Sequence, residues 1–179
     1  MRFGSDRKLR LVGCALCRVI WSELSALGRR AVEVAEAYAD GLAGVRSRAA
    51  YSVRLETAGS RDSSRTPMWM PGCAVSETGW YAAELTIGCT GHANEECRIV
   101  RDIFGNPFRP ITIDPRWLTS TVVDISNAIY DERAFDKMPI LADALMDAGC
   151  DCEEILNHCR GDGPHVRGCW VVDLLLGKK

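Results

Sequence analysis

Short apolar stripes with helical spacing, closed by glycine or proline, constrain the fold of this chain more than any other sequence feature. Within each stripe apolar residues recur every three or four positions, which is the period of one helix face. The first stripe consists of Leu9, Val12, Leu16, Val19, Ile20 and Leu24. A later stripe consists of Leu118, Val122, Ile125 and Ile129. These stripes predict a mainly α fold, a compact bundle of short helices.

The order of the stripes predicts one domain over residues 1–179, since single domains commonly run to about 100–200 residues. Two helices joined by a short link at Gly28 predict an N-terminal helical hairpin over 1–50. Residues 57–75 are rich in Gly, Ser and Pro and only weakly periodic, so we expect a loop or linker there. Helical patterns return over 101–179 and predict a C-terminal helical region.

Two helix starts and one further helix in that region can be predicted from the sequence. Asp114-Pro115 is a favourable helix opening, because Asp is a good N-cap and proline suits the first turn. Asp151 with Glu154 three residues later resembles a capping box. The apolar tail over 166–176 predicts a helix, although its Trp-Val-Val run also suits a strand.

Two prolines brace the middle of the chain. In Asn106-Pro107 and Arg109-Pro110 each proline removes a backbone donor and pushes the preceding residue out of the α region. We therefore expect a Pro-braced extended loop between the N-terminal and C-terminal helices. Four aromatic residues either anchor this loop on the core or offer a surface to a partner: Phe104, Phe108, Trp117 and Trp170.

Composition and charge limit the classes of partner. Apolar residues make up 47% of the chain and charged residues 26%, which is too apolar for a disordered protein. The net charge is −2, but the two halves differ in sign. Residues 1–75 contain 12 Lys and Arg and 7 Asp and Glu, whereas residues 76–179 contain 10 Lys and Arg and 17 Asp and Glu. The basic residues are scattered and few aromatics lie between them, so we expect no nucleic-acid partner.

The sequence contains no run that approaches the roughly 20 apolar residues of a membrane span, so we expect no membrane association. Leu11-Val12-Gly13-Cys14 matches a bacterial lipoprotein cleavage box. The charged residues 5–10, however, occupy the place of the apolar stretch that a secretion signal requires. We therefore expect a cytoplasmic protein whose nine cysteines are mostly reduced thiols.

The densest set of metal-ligating residue types lies between positions 150 and 169. It consists of Cys150, Cys152, His158, Cys159, His165 and Cys169. Zinc takes four Cys or His ligands, usually as two close pairs, and the predicted ligands are His158, Cys159, His165 and Cys169. No cofactor is expected unless these four residues bind zinc. The pattern favours a set of partly buried thiols with a surface histidine, because a Cys-x2-Cys pair is missing here and adjacent helix residues point about 100° apart.

Four C-terminal strings carry a family resemblance: RDIFGNPFRP from Arg101, AIYDERAFD from Ala128, PILADAL from Pro139 and HVRGCWVVDLLLG from His165. With them the chain resembles a large paralogous family of uncharacterised planctomycete proteins. The N-terminal SDRKLR from Ser5 resembles the same family, where a further helix precedes it. Here that helix is missing, so we expect a first helix without this packing partner, or a truncated chain start.

The resemblance covers about the first 45 and the last 80 residues, and the middle, about 50–95, departs from it. It implies no activity. Some members join this region to repeat-companion or other interaction modules, which implies a scaffold or adaptor role.

Three functions are therefore expected, in this order. The first is a non-catalytic helical protein-interaction or scaffold module, with another protein as its partner. The second is a zinc-supported structural domain built on the cluster at 150–169. The third is an enzyme that depends on cysteine and histidine, with Cys159 and His165 as one conceivable nucleophile and base. The sequence favours a protein that is not an enzyme and predicts no oligomeric state.

Overall fold

The computed structural model describes residues 5–59, 69–84 and 86–178. Every regular element among them is helical, which confirms the predicted mainly α fold. Contacts divide the chain into a first unit, Met1–Ile99, and a second unit, Val100–Lys179. The expectation of a single domain stays a prediction. Within the described residues, each helix is too short or too polar to cross a lipid bilayer.

The helices of the first unit are short and closely packed. They are α1 Asp6–Val19, α2 Ala26–Ala39, α3 Val45–Gly59, α4 Trp69–Ala74, α5 Gly79–Glu84 and the first part of α6 Ala93–Phe104. Serine hydroxyls cap two of them, since Ser5 and Ser25 each accept the amide three residues on. Helix α1 packs against α5 at Gly13, where a Cβ would lie 2.6 Å from the carbonyl oxygen of Ala82. A glycine is therefore required for this close approach.

The predicted loop over 57–75 is partly helical. Residues 57–59 end α3, and 69–74 form α4. The part of the prediction that falls on 60–68 lies outside the described residues.

Two buried arginines bind the chain where α4 ends. Nη1 of Arg10 donates to the carbonyl oxygens of Ala74 at 2.9 Å and Ser76 at 2.8 Å. Nη1 of Arg48 donates to the carbonyl oxygen of Val75 at 2.6 Å. Ala74 ends α4, so its carbonyl has no partner within the helix, and Val75 and Ser76 follow it directly. The two cations therefore fix the end of α4 against α1 and α3.

Glu96, in the first turn of α6, holds the loop that precedes this helix. Its carboxylate accepts the hydroxyl of Thr90 at 2.6 Å and the amides of Thr90 at 3.1 Å and Gly88 at 2.7 Å. Burial opposes ionisation of Glu96, but these hydrogen bonds outweigh it, so the pKa of the carboxyl lies below its ordinary value. Because this pKa is lowered, the carboxylate stabilises the fold at neutral pH, and the contribution is lost as the pH falls through the folded-state pKa.

We expect Glu96→Gln to lower the free energy of unfolding of the first unit by about 1–3 kcal/mol at neutral pH, because the hydrogen bonds lose their charged acceptor. The variant should also lose stability less steeply than the parent below about pH 4. Urea unfolding at several pH values, with hydrogen exchange to isolate the first unit, measures both effects. Glu95→Gln is the matched control, and an identical pH dependence in Glu96→Gln and the parent protein would contradict the assignment.

The second unit surrounds a separate hydrophobic core. Besides the end of α6, its helices are α7 Ser120–Glu132, α8 Met138–Asp147, α9 Glu153–Arg160 and α10 Trp170–Leu175. Helix α8 packs against α7 and α9, and α10 packs against α7 and α9. The buried side chains between them include Val122, Ile129, Leu141, Leu145, Ile155 and Val172. Apolar residues at helical spacing thus form this core, as their stripes predicted.

Two predicted helix starts are wrong in position. Asp114 does accept the amide of Arg116, but it opens only the 3₁₀ turn Pro115–Trp117. Helix α7 begins later, where the hydroxyl of Thr119 caps it. Helix α9 begins at Glu153 without a side-chain cap, so the predicted capping box does not form.

The predicted helix over 166–176 is confined to α10, and a turn precedes it in which the amide of Cys169 donates to the carbonyl oxygen of Val166 at 2.9 Å. Gly163 and Gly168 have φ values of 64° and 95°, in the left-handed region where a right-handed helix cannot continue. Pro164 lacks the amide that a helix interior requires. The strand alternative is not adopted by the described residues of this tail.

The Pro-braced segment between α6 and the 3₁₀ turn is free of helix, as predicted. We call residues 105–110 the Pro loop. Its first residue, Gly105, has a φ of 63° and ends α6. The side-chain oxygen of Asn106 then accepts the amide of Phe108 at 3.0 Å and closes a local turn.

Candidate metal centre

Four potential metal ligands from separate parts of the second unit converge on one point. Asp102 lies in the last turn of α6, and His158 lies on α9. His165 belongs to the non-helical segment after α9, and Cys169 directly precedes α10. One ligand atom from each of these residues lies within 4.8 Å of the other three.

The distances show how closely the four side chains meet. Oδ1 of Asp102 lies 2.8 Å from Nδ1 of His165 and 3.1 Å from Nε2 of His158. That same Nε2 lies 3.2 Å from Sγ of Cys169. The group is also shielded from solvent, with side-chain exposures of 3% for Asp102, 8% for His165 and 19% for His158.

Asp102 is ionised in this setting. Burial opposes its ionisation, but hydrogen bonds from His158, His165 and the amide of Val166 outweigh burial and lower the pKa of the carboxyl. The Val166 amide donates to Oδ2 at 2.9 Å. Oδ1 is thereby left facing the two histidine rings.

Surrounding groups orient the histidine rings. The rings of His158 and His165 meet edge to face with centroids 4.9 Å apart, and the ring of Trp170 lies 5.1 Å from that of His158. Nε2 of His165 lies 3.4 Å from the carbonyl oxygen of Gly161. Such contacts on the far side of a ring fix the nitrogen that faces a metal ion.

The geometry differs from that of a thiol nucleophile activated by histidine. In a catalytic triad the acid binds one ring nitrogen and the nucleophile meets the other. Here Asp102 and Cys169 both face Nε2 of His158. Burial, followed by the charge of Asp102, raises the pKa of the Cys169 thiol well above its ordinary value. A free Cys169 therefore remains protonated and weakly nucleophilic at neutral pH.

Three of the four ligands predicted from the sequence come together: His158, His165 and Cys169. Cys159 does not join them, because it follows His158 on α9 and points into the hydrophobic core, where burial raises the pKa of its thiol to about 12. Asp102 supplies the fourth group instead and was not predicted. Its signal in the sequence is an acidic residue beside Ile99 and Ile103, on the apolar stripe of α6.

The four predicted aromatic anchors lie in different environments. Trp170 is partly buried and contacts His158, while Trp117 packs against the core of the second unit. Phe104 is partly buried, and Phe108 is 87% exposed. Their role in binding a partner stays a prediction.

Comparison of the chain with family models, curated proteins and solved structures finds no match.

Proposed function

We propose that the second unit is a zinc-supported structural domain in which Asp102, His158, His165 and Cys169 bind the ion. The observation that carries this proposal is the convergence of four ligand atoms within 4.8 Å in a largely buried site. Three of these ligands lie within twelve residues of one another, and Asp102 comes from a distant helix. A bound ion would therefore tie α6 to α9 and to the segment that leads into α10.

The chemistry of the ligands favours a divalent ion of intermediate softness. Two imidazole nitrogens, one thiolate and one carboxylate match the ligands that zinc takes in proteins. With both acids ionised and both histidines neutral, the ligands carry two negative charges, which balance a divalent cation in a buried site. Four protein ligands complete a tetrahedral shell, which is typical of structural zinc sites, whereas catalytic sites keep a position open.

The proposal also requires Cys169 to lose its proton on binding, since the thiolate is the ligand. A reducing, cytoplasmic location would keep this thiol available and forms part of the proposal.

Cobalt substitution tests the ligand set directly. We expect Co²⁺ added to metal-free protein to give one tetrahedral site per chain with a thiolate-to-cobalt charge-transfer band. Cys169→Ser should lose that band, because its sulfur ligand is gone. Cys159→Ser is the matched control, since it alters an equally buried thiol on α9, and it should keep the band. Loss of the band in Cys159→Ser but not in Cys169→Ser would contradict the proposed ligands.

A protein-interaction or scaffold function is the second candidate, supported by the exposure of Phe108 at the tip of the Pro loop. The family resemblance points the same way. The two functions are compatible, because a structural ion can support a domain that binds a partner. A thiol-dependent enzyme ranks third, since Cys169 and Cys159 both have raised thiol pKa values and are buried.

A further inference from the structure

We infer that the ion bound by Asp102, His158, His165 and Cys169 fixes the Pro loop, so that the presentation of Phe108 depends on metal. This inference rests on the proposed function and adds regulation to it. The Pro loop would be held when the ion is bound and released when the ion is removed.

Trp170 provides the first link between the ion and the loop. It follows the ligand Cys169 in the chain, and its ring lies 5.1 Å from that of the ligand His158. On the loop side, a Cβ at Gly105 would lie 2.9 Å from Cγ of Trp170. The indole thus packs directly on the backbone where the Pro loop begins, and displacement of Trp170 would remove this support.

Asp102 provides the second link. It lies three residues before Gly105, in the last turn of α6, and the amide of Gly105 donates to the carbonyl oxygen of Arg101 at 2.8 Å. An ion held by Asp102 therefore anchors the helix end from which the Pro loop leaves. Both links reach the loop at its first residue.

The other end of the loop is held only weakly by its ion pair. Arg109 and Glu154 are 3.5 Å apart, with side-chain exposures of 75% and 46%. Exposed pairs of this kind contribute little to stability. Ile111, just beyond the loop, packs against the core of the second unit, so the contact between Gly105 and Trp170 is the link that joins the loop to the metal ligands. Phe108, at the tip, gains no comparable burial that would hold it in place.

Limited proteolysis with chymotrypsin, which cleaves after aromatic and large apolar residues, tests this coupling. Cleavage tracks the population of locally opened chain when opening is fast. We expect removal of zinc with a chelator to raise the rate of cleavage after Phe108 by about tenfold. Cleavage after Tyr130, buried on α7, reports unfolding of the whole second unit, and it should stay far slower than cleavage after Phe108 both with and without zinc. Cleavage after the exposed Leu42 in the first unit should not change.

Gly105→Ala separates the loop from the ion. The added methyl group displaces Trp170 and also strains the backbone at a φ of 63°, so the variant should keep one zinc per chain, and its cleavage after Phe108 should be rapid and no longer respond to the chelator. Zinc content and cleavage rates are measured on the same samples. Bound zinc with no change at Phe108 on chelation, or equal rates of cleavage at Phe108 and Tyr130 without zinc, would overturn the inference while leaving the proposed function standing. Protein that binds no zinc would overturn both.

Discussion

Replacing Cys169 by alanine is expected to abolish zinc binding and to lower the free energy of unfolding of the second unit by about 4 kcal/mol, at free zinc about a thousandfold above Kd. The ion binds only the folded arrangement, in which Asp102 approaches ligands that follow it by more than fifty residues. Its binding free energy is therefore folding free energy. Thermal unfolding with and without chelator, combined with hydrogen exchange to isolate the second unit, measures this effect.

Cys159→Ala controls for the loss of a buried thiol. Both cysteines are fully buried, so both variants should lose a similar amount of packing energy. Only Cys159→Ala should still be stabilised by zinc and destabilised by chelator. Equal responses of the two variants to chelator would show that Cys169 is not a ligand.

Replacing Arg10 by methionine is expected to destabilise the first unit by about 3 kcal/mol or more, because several carbonyls lose their donor and each buried acceptor left unsatisfied costs about 1–3 kcal/mol. The guanidinium is fully buried and donates to three carbonyl oxygens, of Ala74, Ser76 and Glu77, and to Asp6. Methionine approximates the stem but offers no donor, so these carbonyls would lose their partner.

Arg30→Met is the matched control for this variant. Arg30 is exposed, forms an ion pair with Glu33 three residues later at 2.7 Å, and hydrogen-bonds to Tyr51 on α3. Such a pair contributes little, so urea unfolding should show a change of less than about 1 kcal/mol. A comparable loss in the two variants would mean that the carbonyl contacts of Arg10 are not what stabilises the end of α4.

Much of the fold could be predicted from local periodicity, because helices form where apolar residues share one face. The helix ends were harder to predict. Asp114-Pro115 satisfies the rules for a helix start, yet the chain turns once and starts α7 at Thr119. Capping preferences describe single turns, and they do not determine whether tertiary packing extends a turn into a helix.

The candidate site was predictable only where its residues are close in sequence. His158, His165 and Cys169 lie within a short segment, so their residue types stood out. Asp102 lies 63 residues before His165 and reaches the group because the end of α6 belongs to the second unit. Cys159 was chosen by residue type, but the direction of its side chain on α9 places it in the core instead.

Elemental analysis of the full chain, expressed and purified without a metal-affinity column, tests the central claim most directly. The proposed function predicts about one zinc per chain, lost in Cys169→Ala and retained in Cys159→Ala. Protein that contains no zinc and binds none on dialysis against it, while its second unit stays folded, would contradict the claim.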